Sequence, residues 1–252
     1  KILGIRVLAI RSEEIVIDAF IKVKVLLEEW EQEDCEDINY LSIENKNQNY
    51  LITGSTGEIG SAISLKLAKK GFNLILLYRT NNKKLQVLKD NLKKLKASFR
   101  LIKIDLDSKN FKNNLKKELD KINFSSGISG IIHTASPKVE EELEKLVRVN
   151  YSSLVDIVKI LLPKMLIRHK SSIVFISSTA VTKNIDGWQN YIAAKIMTTN
   201  FLAGLNSKFS SYGLKCTTLM PGFVQTEYSK QYRDNEISLL PEELADEIIN
   251  IS

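Results

Sequence analysis

From Asn49 onward the chain repeats one pattern six times: a short β-branched or leucine-rich run, then a length of amphipathic helix. The runs are "YLITG", "FNLILLY", "SFRLIKID", "SGIIHTA", "SSIVFIS" and "LKCTTLM". Each is near-continuously apolar and too short for a buried helix, which suits a strand covered on both faces. Strands separated by helical lengths call for right-handed crossovers, and hence a mostly parallel sheet. The expected class is α/β, doubly wound, with helices on both sides of one sheet over residues 49–252.

Residues 1–48 read differently. Ile21, Val23 and Val25 alternate with Lys22 and Lys24, the pattern of a strand with one wet face, and the acidic "EEWEQEDCED" and polar "NKNQN" follow as a connector. A boundary is expected near residue 48, with a small strand-containing N-terminal extension that is either the tail of a fused domain or packed on the main body. The chain opens on Lys1 without a methionine, so a fragment or processed chain is expected. An apolar share of 44% and a charged share of 26% fit a soluble globular protein. No apolar run approaches the roughly 20 residues that span a bilayer, so no membrane partner is expected. Cys35 and Cys216 have no metal-ligand partners at useful spacing, which suits a reducing compartment and a cytoplasmic location. The net charge of +6 is dispersed. Its densest group, Lys83 to Lys96, carries Leu85, Leu88, Leu92 and Leu95 opposite, which is the pattern of a solvated helix face rather than a nucleic-acid site.

The first strand runs into "TGSTGEIG", spanning Thr53 to Gly60. Glycines at 54, 57 and 60 suit a tight turn, close backbone approach to a pyrophosphate, and close helix packing. Ser55, Thr56, Glu58 and Ile59 complete the turn, and the helix entered there would aim free N–H groups at phosphate. The stretch is therefore expected to be the phosphate loop of a Rossmann fold. At the end of the second strand, where an acid would hold the ribose 2′-OH of NAD, stand Tyr78 and Arg79. A guanidinium there clamps a 2′-phosphate, so the expected cofactor is NADP rather than NAD. Asp105 and Leu106, after the third strand, would meet the adenine amino group and ring.

Further motifs follow in order: "HTAS" at 133–136, "VN" ending at Asn150, "ISS" ending at Ser178, "YIAAK" from Tyr191 to Lys195, and "PGFVQT" from Pro221 to Thr226. With the glycine turn, this set resembles the short-chain dehydrogenase/reductase family over about residues 49–252. The resemblance implies a nicotinamide-dependent oxidoreductase with Asn150, Ser178, Tyr191 and Lys195 as catalytic residues. It places Thr134, Ala135 and Ser136 against the cofactor, with Pro221, Gly222 and Val224 flanking the nicotinamide and Thr226 meeting its carboxamide or a phosphate. Reducing a carbonyl needs a hydride on carbon and a proton on oxygen, and the nicotinamide supplies only the hydride. Tyr191 would give the proton, and Lys195, one helical turn on, would lower its pKa and bind the nicotinamide ribose. Ser178 would hydrogen-bond the carbonyl oxygen. Asn150 would hold a water that relays protons to Lys195.

The implied partners are a small-molecule or carrier-bound carbonyl substrate, a 3-oxoacyl thioester being the analogy, and further copies of the chain in a dimer or tetramer. Some residues depart from the family pattern. Glu58 stands where many reductases have glycine, and the three-step glycine spacing also occurs in the family's epimerase and dehydratase branch. "HTAS" replaces Asn-Asn-Ala-Gly and so removes an amide that would tie neighbouring strands. The stretch from His133 to Asn150 is short, and the chain stops before a seventh strand. A sugar epimerase or dehydratase, or an NADP-binding scaffold without redox chemistry, is the alternative. His133 and His169 have no hydrolase partners, so His133 is read as packed or at the cofactor edge, and Trp188 as cleft wall or core.

Overall fold

A computed structural model describes residues 48–251, apart from 81, 123–126, 169, 184 and 233–237. The expected N-terminal extension, Cys35 and His169 therefore lie outside the described residues. The strands are β1 (Asn49–Thr53), β2 (Asn73–Tyr78), β3 (Phe99–Lys103), β4 (Gly130–His133), β5 (Ser171–Ile176) and β6 (Leu214–Leu219). All are parallel, in the order β3-β2-β1-β4-β5-β6. This is the doubly wound order, and its direction reverses between β1 and β4, where Thr53 lies beside His133.

The helices are α1 (Glu58–Lys69), α2 (Lys83–Lys94), α3 (Phe111–Leu119), α4 (Leu143–Val147), α5 (Ser153–Leu166), α6 (Gln189–Phe209) and α7 (Pro241–Ile251). A widened turn, Arg148–Ser152, joins α4 to α5 without a break. Because successive strand residues point to opposite faces, neighbours in sequence enter different cores. Leu51, Ile131, Ile173 and Phe175 pack with α3, α5 and α6, whereas Ile52, Ile132, Val174 and Ile176 pack with α1, α2 and α7. Leu51, Ile52, Ile173 and Val174 are fully buried, so trimming Ile173 to alanine costs about 2–5 kcal/mol.

The lysine-rich helix behaves as its pattern demands, with one difference. Leu85, Leu88 and Leu92 are buried, but Leu95 is 37% exposed because α2 ends at Lys94 and Leu95 is its C-cap. Among the described residues no helix is long and apolar enough to cross a membrane.

Candidate active site

A cleft of about 590 Å³ runs along the carboxyl ends of the strands, across the β1/β4 reversal. Its phosphate end is the turn from Gly54 to Gly60. Gly54 takes φ +62, and a Cβ on Gly60 would sit 2.3 Å from the Gly54 carbonyl oxygen, so backbone shape demands glycine at both. Gly57 caps α1 without a side-chain bond, which leaves the first-turn N–H groups of Glu58, Ile59 and Gly60 free at the cleft wall. That backbone cradle fits a pyrophosphate. Thr56 lines it too, and the carboxylate of Glu58 is met by Lys84 at 3.0 Å.

Ser55 is placed otherwise than the motif suggested. It is fully buried, and its hydroxyl and N–H both donate to the Leu77 carbonyl, at 2.9 and 3.2 Å. Its side chain ties β1 to β2 behind the turn instead of facing the cleft. Arg79 is exposed at the end of the cleft that follows β2, beside Thr80 and Asn82. Asp105 and Leu106 line the same end, one Asp105 oxygen accepting the Asp107 N–H at 3.0 Å.

Across the reversal, "HTAS" does its own tying. The Thr134 hydroxyl donates to the Thr53 carbonyl at 2.7 Å, and the Ala135 N–H reaches the Thr53 hydroxyl at 3.3 Å. The strand tie expected to be lost with the missing amide is therefore supplied by hydroxyls. His133 Nε2 lies 3.1 Å from the Val149 carbonyl, which can only accept, so Nδ1 must accept from the Thr53 hydroxyl at 2.9 Å. Burial, aided by Lys195, pulls its pKa down to about 3. His133 is thus a neutral, packed strut. Thr134, Ala135 and Ser136 all line the cleft.

At the other end of the cleft Ser178, Tyr191 and Lys195 converge. Ser178 follows β5, and its oxygen accepts the Ala180 N–H at 3.1 Å, capping a short turn while still lining the cleft. Tyr191 and Lys195 share one face of α6. The hydroxyls of Tyr228, Ser178 and Ser136 lie close enough to that of Tyr191 for hydrogen bonding to favour its phenolate. Lys195 is 2% exposed, and its Nζ donates to the Ile176 carbonyl at 2.9 Å. Burial pulls its pKa down to about 7 and pushes the Tyr191 phenol up to about 12, against those hydrogen bonds. The expected lowering of the phenol by a full ammonium is corrected accordingly. Desolvation disfavours the charged form of both groups, and it is the largest influence on each.

Asn150 is fully buried and lies outside the cleft lining; its Nδ2 donates to the Leu146 carbonyl at 2.9 Å, and its Oδ1 has no hydrogen-bond partner among the described residues. Pro221, Gly222, Val224 and Thr226, after β6, line the cleft too. The Thr226 hydroxyl is engaged with Ser229, 3.2 Å away, in a tight turn.

Sequence reasoning offered Trp188 as cleft wall or core but missed the two tyrosines that stand with it. Trp188 meets the Tyr191 ring edge-on at 5.8 Å and the Tyr232 ring at 5.2 Å, and Tyr228 lies 6.0 Å from Tyr232. Tyr228 Oη donates to the Pro137 carbonyl at 3.0 Å, and Tyr232 Oη to Glu140 at 2.5 Å. These bonds clasp the loop after β6 to the loop after β4 over the reacting end. Trp188 is therefore wall.

The family model described as short chain dehydrogenase matches residues 48–237. Among curated proteins the chain is 26% identical over 188 residues to a very-long-chain 3-oxoacyl-CoA reductase of Bos taurus, covering 71% of this chain. It spans only 60% of that protein's length. It is 29% identical over 209 residues to an uncharacterized oxidoreductase, YmfI, of Bacillus subtilis, covering 80% of this chain and 84% of that protein. Among solved structures, a 3-oxoacyl (acyl-carrier-protein) reductase from Agrobacterium tumefaciens with NADP bound superposes with a TM-score of 0.72 at 21% identity, over 87% of this chain and 91% of that one. A short-chain dehydrogenase from Sphingobium yanoikuyae in complex with NADPH gives 0.71 at 21% identity, over 81% and 83%.

Proposed function

Since this chain belongs to the short-chain dehydrogenase family of oxidoreductases, we propose that it is an NADP-dependent ketoreductase or alcohol dehydrogenase with Tyr191 as its general acid and base. The observation that carries the reading is the meeting of Tyr191, Ser178 and Lys195 at one end of a cleft whose other end is a glycine cradle. A dinucleotide would lie along it, its pyrophosphate on the N–H groups of Glu58, Ile59 and Gly60 and its 2′-phosphate on Arg79. When bound, NADPH supplies a hydride to the carbonyl carbon.

This chain's residues do the remaining work. Ser178 donates to the substrate oxygen as charge develops there, and Tyr191 passes its proton to the same atom. Lys195, held by the Ile176 carbonyl, fixes the nicotinamide ribose and restores the tyrosine proton. Asn150 Oδ1 is read as the anchor of a water feeding Lys195. The aromatic wall of Trp188, Tyr228 and Tyr232 excludes bulk water, which strengthens each of these polar contacts.

A 3-oxoacyl thioester is the substrate class proposed, by analogy with the reductases named above. Exposed Lys138 and Lys183 on the cleft rim would suit an anionic head group. The test is loss of NADPH absorbance with a panel of ketones and 3-oxoacyl thioesters. Consumption matched by alcohol formation supports the reading. Binding without consumption would leave a scaffold, and tightly held NAD with no net consumption an epimerase.

A further inference from the structure

A second phenol stands against the first. Half-buried Tyr228 packs against the cluster that holds Tyr191, close enough to favour its phenolate, while its own Oη donates to the Pro137 carbonyl at 3.0 Å. A hydroxyl carries one proton, so while Tyr228 serves Pro137 it does not donate to Tyr191. The Pro137 carbonyl also receives the Ser136 hydroxyl at 3.3 Å. Turning Tyr228 away would therefore leave that carbonyl bonded.

We propose that Tyr228 is a positioning residue for the acid: as Tyr191 gives up its proton, the Tyr228 hydroxyl turns from Pro137 to the new phenolate oxygen and stabilises it. This rests on the reading of Tyr191 as the acid. The balance is simple. Hydride joins the carbonyl carbon, the Tyr191 O–H bond breaks, its proton joins the substrate oxygen, and the Tyr228 O–H bond stays intact. The groups that face the pair are Lys195 from α6, Ser178 after β5, Ser136 after β4, and Tyr232 bonded to Glu140. Burial first, then Tyr191, Tyr232 and Glu140, hold the Tyr228 phenol well above the ordinary tyrosine range. It therefore stays protonated and serves only as donor.

Tyr228→Phe removes the hydroxyl and keeps the ring. In protein carrying 13Cζ-labelled tyrosine and saturated with NADP, the Tyr191 resonance, assigned by its disappearance in Tyr191→Phe, is followed with pH. A hydrogen bond to a charged group supports a shift of about one pH unit upward in Tyr228→Phe, or roughly a tenfold smaller tyrosinate fraction at the highest pH tolerated. Tyr228→His, which restores a donor, should recover part of the shift and serves if the phenylalanine variant folds poorly. Equal tyrosinate fractions in wild type and Tyr228→Phe at every pH would overturn the proposal. The titration is read without turnover. If Tyr191→Phe keeps its turnover, the acid assignment fails whatever Tyr228 does.

Discussion

Lys195 Nζ stands 5.4 Å from the centre of the Tyr191 ring, and 4.7 Å from that of Phe175, while donating to the Ile176 carbonyl. The two side chains four residues apart on α6 therefore face the same pocket, and a backbone carbonyl of β5 fixes the cation there. Lys195→Met keeps the stem's packing but leaves the Ile176 carbonyl without its donor. The variant should lose about 10²–10⁴-fold in turnover, the usual range for proton-transfer machinery, with stability changed far less than activity. Steady-state kinetics beside thermal unfolding would check this, and near-native turnover would remove Lys195 from the mechanism.

Arg79 is the proposed reader of the 2′-phosphate. Arg79→Ala removes a charge-assisted contact of about 1.5–3 kcal/mol, so NADPH affinity should fall roughly 10- to 100-fold while NADH affinity barely moves. Fluorescence titration with both cofactors measures the ratio. An unchanged ratio would transfer the discrimination to another residue, such as Lys84, which meets Glu58 at the phosphate turn.

Gly60 packs against the carbonyl of Gly54 too closely for any side chain. Gly60→Ala should open the phosphate turn, destabilise the fold by about 1–3 kcal/mol and weaken cofactor binding. Denaturant unfolding and cofactor titration on the same variant would show both effects; an alanine accepted without loss would mean the turn has slack that the 2.3 Å approach denies.

His133 sets an acid limit. Its pKa is about 3 in the fold against 6.5 when free, so the unfolded chain binds the extra proton over that interval. The stability it contributes is complete above about pH 6.5 and falls by about 1.4 kcal/mol per unit as pH drops towards 3. His133→Gln should flatten the slope of unfolding free energy between pH 6.5 and 4.5, and an equally steep slope in that variant would assign acid sensitivity elsewhere.

The six strands were legible because each buried run differs in composition and length from the helices between them. The glycine turn and the Ser178, Tyr191 and Lys195 set were legible because local geometry fixes their spacing. What escaped is long-range. Tyr228 and Tyr232 meet Pro137 and Glu140 across 91 and 92 residues of chain, and no local pattern joins them. Their only signal was a pair of tyrosines four apart in the loop after "PGFVQT". Ser55 was misplaced because motif spacing says nothing of which way a turn residue points, and here the Leu77 carbonyl claims it. Sequence gives the charge of Lys195 but not the burial that pushes both it and the Tyr191 phenol towards their neutral forms.

The central claim is that Tyr191 supplies the proton, and Tyr191→Phe tests it most directly when NADPH affinity and ketone turnover are measured on the same preparation. The account predicts affinity within about threefold of wild type and turnover reduced by about 10²–10⁴-fold or beyond detection. Turnover that survives the loss of the hydroxyl would contradict it.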